Sequence, residues 1–475
     1  MKRTRAAAKK FNSTDLLKMQ GFLHEGPEEQ KRILRSLVST IHRFFGGVDS
    51  LFSGVTDPRD PKKTVYPLAG LAFTGILMYL CHLKARRQIG LLLRTGAATE
   101  TFQSLFDVDR CPHGDTSNDA FCDTSPEEVQ QEVCRLLNML IRKKVLYRYR
   151  VLDKYFVVAG DGTGTLTFPE RHCPHCLTQT QHGKTTYYHQ VLDLKLVTSN
   201  GFAFSMMTNF IENPGVKPNK QDCELKAFYR LAPQLKKSFP RLPILLALDG
   251  LFACGPVFHL CTTYGWKFMI VLKDKDLPSV NQEFEALWQL ERGNRLIWKT
   301  RKEGDEVKQV FRWVNGIPYT DSNGREHILS VIECLEMKLN SEGEWETTKF
   351  KWVTNFRVTA TNVVSLANEG GRRRWKIENQ GFKAQKTGGF ELEHSYTSNP
   401  TSAKIFYYLL QIAHMIEQLL YQGCLVGKQG RRALGSRKNL GFRLLEAWRN
   451  TPLKKAEIEE ISMCSFQIRF CPDTS

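Results

Sequence analysis

Acidic residues are in short supply: 49 Asp and Glu stand against 67 Lys and Arg, a formal net charge of +18. That imbalance favours a polyanionic partner, with nucleic acid ahead of an anionic membrane surface. Long apolar runs are scarce too. Only Tyr66–Leu83 approaches spanning length, and it holds Pro67, Gly70, Gly75 and His82 with no second span elsewhere; it reads as a buried helix, so no membrane partner is expected. The basic start, Met1–Asp15, lacks the apolar stretch of a secretory signal, so export is not expected and a DNA-touching arm is. No internal repeat is visible. A hydrophobic fraction of 41% and a charged fraction of 24% exclude a disordered or fibrous chain. Thirteen cysteines, odd in number and scattered, make no disulfide framework and fit a reducing cytoplasm.

What is present divides the 475 residues into several units. Residues 1–150 are expected to form a helical N-terminal DNA-binding domain, because segments such as Gln130–Leu146 keep apolar residues three and four apart. No helix-turn-helix can be assigned within it. After Tyr147 short β-rich runs begin: Lys154–Asp161, Thr186–Val197 and Phe202–Phe210, then a helical stretch, Lys220–Phe239, then the apolar strand Pro243–Asp249. A helix and the strand Trp266–Lys273 follow. Three strands, helix, strand, helix, strand outline an α/β fold with a ribonuclease H-like mixed sheet, its first part spanning 151–273. Residues 274–351 read as an inserted β subdomain of about four strands, 352–422 as the helical second part of the core, and 423–475 as a C-terminal tail with a basic stretch.

Two carboxylates fall at apparent strand ends, Asp161 before Gly162-Thr163-Gly164 and Asp249 before Gly250. Either alone is ordinary turn chemistry. Two matching positions at the edge where α/β sheets build sites point to a shared function. A third, Glu378, lies among Arg372, Arg373, Arg374 and Lys376 on a predicted helix that carries Arg374 one turn earlier and Lys386 two turns later; an acid among bases invites a metal or a phosphate, and a solvated helix with ion pairs is the plain alternative.

The block Arg374-Trp375-Lys376-Ile377-Glu378, followed by Phe382, Lys386 and Gly388-Gly389-Phe390-Glu391-Leu392-Glu393-His394, resembles the signature around the catalytic Glu of DDE-type transposases of the insertion-sequence 4-like group. Asp161-Gly162-Thr163 and Leu248-Asp249-Gly250 resemble the contexts of the two catalytic Asp residues, and the likeness covers about Phe156 to Leu420. The chain has Gly371 where the family carries a Tyr, and Gln385 where it carries a Lys, flanked by Lys383 and Lys386.

The resemblance implies a bacterial cytoplasmic enzyme of DNA recombination that cuts and transfers the ends of its own mobile element. Asp161, Asp249 and Glu378 would hold two Mg²⁺ ions, with Mn²⁺ as substitute, and act as ligands rather than acid–base groups. It further implies that Arg374 and either Lys383 or Lys386 contact DNA phosphate, and that a homodimer assembles on inverted-repeat ends and target DNA. Trp375 either stacks on a displaced base or packs beside Ile377. A decayed or domesticated copy that binds DNA without cutting it is the competing reading. A sugar hydrolase using paired carboxylates is a third, but it leaves the +18 charge unexplained.

Separately, His172-Cys173-Pro174-His175-Cys176 has the CxxC spacing of zinc sites, with His182 and His189 following. Cys173, Cys176, His172 and His175 are the candidate ligands of a structural Zn²⁺. The alternative is a loop with two free thiols.

Overall fold

A computed structural model describes residues 26–216, 220–302, 305–339, 343–425, 435–464 and 467–470. The expected N-terminal arm, and most of the basic stretch expected in the tail, lie outside these residues. Helix α1 (Pro27–Phe45) starts on Pro27 with Glu28 and Glu29 in its first turn and stops at Gly46, whose φ of 91° is the left-handed conformation glycine adopts freely. Helix α2 (Leu68–Leu80) occupies the apolar run and is buried nearly all round, which is why its sequence shows no polar stripe. No helix of the described residues is long and apolar enough to cross a membrane. Helices α3 (Arg87–Leu92), α4 (Gly96–Phe106), α5 (Gly114–Cys122) and α6 (Pro126–Arg142) complete the N-terminal layer; Ser125 caps α6 by accepting from the Glu128 amide.

The sheet is built of β1 (Phe156–Phe168), β2 (Leu177–Gln181), β3 (Lys184–Val197), β4 (Ala203–Ile211), β5 (Ile244–Leu248), β6 (Lys267–Val271), β7 (Arg295–Lys302), β8 (Asp305–Thr320), β9 (Glu326–Leu339) and β10 (Trp345–Thr354). Helix α7 (Glu224–Ser238) joins β4 to β5, α8 (Gly255–Tyr264) joins β5 to β6, and α9 (Pro278–Leu290) precedes β7. The strand order is β2-β3-β1-β5-β6-β10-β9-β8-β7, with β4 also paired to β3. Strand β3 pairs antiparallel with both β1 and β4, whereas β1, β5 and β6 are parallel. The inserted strands do not stand apart: β10 pairs antiparallel with β6, so the insertion continues the same sheet. Helix α9 was not legible in the sequence because only Val280 and Phe284 of it are buried.

Alternation along the central strands sorts two apolar clusters. Phe156, Val158, Ile244, Leu246 and Leu248 join the large one shared with the N-terminal helices. Val157, Ala159, Leu245 and Ala247 join a smaller one with Leu366, Ile377 and Phe382. Helix α10 (Pro400–Gln422), buried along most of its length, packs against α2, α5, α6 and β4. Helices α11 (Arg437–Asn450) and α12 (Lys455–Met463) close back on α1, so much of the expected tail is folded structure. The N-terminal helices thus share one core with the sheet rather than enclosing their own.

Candidate active site

Register sets the first two carboxylates side by side. The parallel pairing of β1 and β5 runs from Phe156↔Ile244 to Ala159↔Ala247, and Asp161 and Asp249 each lie two residues beyond that last pair. Neighbouring strands are about 4.8 Å apart. Both residues share the parity of Ala159 and Ala247, so both face the cluster that contains Ile377. One expectation is corrected: β1 does not end at Asp161 but continues to Phe168, because Gly162 to Phe168 keep pairing with β3 after the parallel partner has stopped. Asp249 does end its strand, its side chain accepting from the Leu251 amide at 3.0 Å.

Glu378 comes from the region 363–387, which is helical but irregular: π-turns cover Leu366–Gly370 and Ile377–Phe382, with a tight 3₁₀ turn, Gly371–Arg374, between them. Such turns re-aim side chains relative to a regular helix. Gly371 stands where the resembling family carries Tyr; a Cβ there would meet Trp352 Nε1 at 2.6 Å. Gln385, in the family's Lys position, is fully buried and donates to Gln411 Oε1 at 2.7 Å, with His414 Nδ1 at 3.0 Å. Lys383 is exposed, and Lys386 is paired with Glu393 at 2.7 Å.

Arg374 ties the acids together. One guanidinium nitrogen, Nη1, lies 3.1 Å from Asp161 Oδ2 and 3.1 Å from Glu378 Oε1, while its buried Nε has no hydrogen-bond partner among the described residues. A fourth carboxylate, absent from the sequence expectations, joins them: Glu224, in the first turn of α7, accepts from Gln190 Nε2 at 2.5 Å. A Cβ on Gly162 would meet Glu224 Oε1 at 2.0 Å, so the glycine permits the approach. The only cue for Glu224 was an acid opening a helix, which the helix dipole favours anywhere.

The Asp161 carboxyl is pushed up to about 7, chiefly by burial, with Arg374 opposing and the charges of Glu378, Glu224 and Asp249 adding to the rise. Glu224 is raised as well, by burial and then by Asp249, with the Gln190 hydrogen bond opposing. Crowded acids that resist ionisation together are a frequent mark of a functional cleft. Beside them a groove is lined by Asp249, Lys273, Lys349, Lys351, Arg374 and Trp375. Trp375 is 52% exposed with Arg374 over its ring at 5.0 Å, while Ile377 is fully buried; of the two roles read from sequence, core packing is the one the structure removes.

Asp193, opposite Asp161 in the β1–β3 register and so beside it on the same sheet face, pairs with fully buried Lys195 at 2.6 Å. Ser205, Thr208 and Tyr407 also donate to Asp193, and Lys195 donates to Gln411.

The cysteine loop gathers differently from expectation. Cys173, Cys176 and His189 converge, with His172 nearby. His175 is turned away onto the Asn213 carbonyl at 2.9 Å, because the backbone amide of Asn213 also binds the His175 carbonyl and holds that residue outward. His175 is therefore removed from the candidate ligands.

Searched against models of known protein families and against curated proteins, the chain matches none.

Proposed function

We propose that the protein is a DDE-type transposase, a metal-dependent DNA strand-cleaving and strand-transferring enzyme acting at the ends of its own mobile element. The observation that carries this reading is the pairing of Asp161 and Asp249 on adjacent parallel strands, on the sheet face where Glu378 is tied to Asp161 through Arg374. The order β4-β3-β1-β5-β6, three strands antiparallel and then two parallel to β1, supports a ribonuclease H-like core. Fold analogy alone would not assign chemistry; the grouping of four acids is what supports this one.

Their donor set fits a hard divalent cation. Asp161, Asp249, Glu378 and Glu224 offer only oxygen, and Arg374, whose Nε is unpartnered among the described residues, stands between Asp161 and Glu378. Mg²⁺ or Mn²⁺ there would supply Lewis acidity to an attacking hydroxyl and a leaving 3′-oxygen. Asp161, Asp249 and Glu378 are the ligands of this reading, with Glu224 oriented by Gln190 beside them. Arg374, which lies between Asp161 and Glu378, has the planar fork suited to holding the scissile phosphate and would serve there. Lys273 and Lys349, the latter paired with Asp274 at 3.1 Å, line the path of the DNA backbone, and the exposed Trp375 offers a face to an unstacked base.

The test is nicking of a supercoiled plasmid carrying the DNA that flanks this gene, in Mg²⁺ or EDTA. Wild type should cut only with metal, and Asp161→Ala, Asp249→Ala and Glu378→Ala should each lose at least about 100-fold. Tight binding without cutting in any metal would make the protein a DNA-binding relic instead.

A further inference from the structure

Three side-chain atoms beyond the carboxylate site form a nearly equilateral triangle. Cys173 Sγ and Cys176 Sγ are 3.6 Å apart, and His189 Nε2 lies 3.5 Å from each. At that separation the sulfurs are not bonded, since a disulfide needs about 2.05 Å. The edges match a tetrahedron around an ion with bonds of about 2.3 Å to sulfur and 2.0 Å to nitrogen, whose edges are roughly 3.5–3.8 Å. A fourth ligand is at hand: a His172 ring nitrogen lies within 4.8 Å of the Cys173 sulfur and a His189 nitrogen, the ring stacked on Phe168 at 4.5 Å.

We propose that Cys173, Cys176, His189 and His172 hold one structural Zn²⁺ ion, separate from the carboxylate site. Two thiolates and two imidazoles are the donor set of closed, non-catalytic zinc sites. The backbone is already shaped for it: the Cys176 amide binds the Cys173 carbonyl in a turn, and Asn213 Nδ2 donates to the Cys176 carbonyl at 2.9 Å. His189 sits in β3 opposite Leu166 of β1, so the ion fastens the loop after β1 to the sheet five residues beyond Asp161. Its role is to hold the far end of β1 and the β2–β3 hairpin in register.

The test is metal analysis of the full chain purified under reducing conditions, together with cobalt substitution. One zinc per chain is expected in wild type, in Asp249→Ala and in His175→Ala, and less than about a tenth of that in Cys173→Ala and Cys176→Ala. Cobalt should give a thiolate charge-transfer band in wild type and His175→Ala. Should the cysteine variants fail to fold, the wild-type and His175→Ala spectra decide alone. Absence of zinc and of that band, or loss of the metal in Asp249→Ala, overturns the proposal. Retention of zinc in Asp249→Ala leaves it standing even if cleavage is never observed.

Discussion

Asp161 carries the sharpest consequence of crowding. Its carboxyl is pushed up to about 7, above the value near 4 of an unfolded chain, so the folded state binds the extra proton between those values. Stability from this group is therefore full below about pH 4 and is lost as pH rises through 7. The metal-free protein should be less stable at pH 8 than at pH 6, and Asp161→Asn should recover on the order of 2 kcal/mol at pH 8 and little at pH 5. Denaturant melts at the two pH values check this, and equal effects at both would contradict it. Gly162 gives a second residue-scale expectation: Gly162→Ala should drive Glu224 from Asp161 and cut cleavage about 10-fold or more with the fold retained, read by nicking beside circular dichroism. Asp161 and Asp249 were legible as Asp-Gly steps after apolar runs. Glu224 was not, since nothing local distinguishes it from any acid opening a helix.

The irregular helix of 363–387 is where sequence pattern and structure part. A regular helix predicts neighbours at three and four residues, whereas the π-turn Ile377–Phe382 shifts the register between Glu378 and Lys386. Gln385 consequently lies in the core and cannot be a DNA contact. Gln385→Lys should destabilise the chain by about 3 kcal/mol, because an ammonium would be taken out of water into the core. Exposed Lys383 should instead affect DNA alone: Lys383→Ala should weaken binding evenly across sequences and lower the salt slope by about 1, with unchanged melting. Salt titrations and thermal melts separate the two residues. At this scale most strands were legible as β-rich or apolar runs, but β2 was not, being short, polar and largely exposed. Helix α9 and the two C-terminal helices were not, since their apolar faces are narrow or depend on α1 for cover.

Across the whole molecule, one sheet from β4 to β7 carries both the acids and the basic groove, and α10 joins it to the N-terminal helices through a common core. The buried Asp193–Lys195 pair stitches β3 to α10 beside the site. Lys195→Met should cost about 3–5 kcal/mol by leaving Asp193 buried without its cation, and Asp193→Asn with Lys195→Met together should cost less; chemical denaturation of both variants measures the difference. The net charge of +18 was readable from composition. The sharing of one core by distant segments was not, because contacts such as Gln30 with Glu446 span the whole chain.

The central claim, that Asp161, Asp249 and Glu378 form one divalent-metal site, is tested most directly by Mn²⁺ binding measured by electron paramagnetic resonance at pH 8. Wild type should bind Mn²⁺ in competition with Mg²⁺, Asp249→Ala should lose at least about 10-fold in affinity, and Cys173→Ala should bind as wild type does. Equal Mn²⁺ affinity in wild type and all three carboxylate variants would contradict the account.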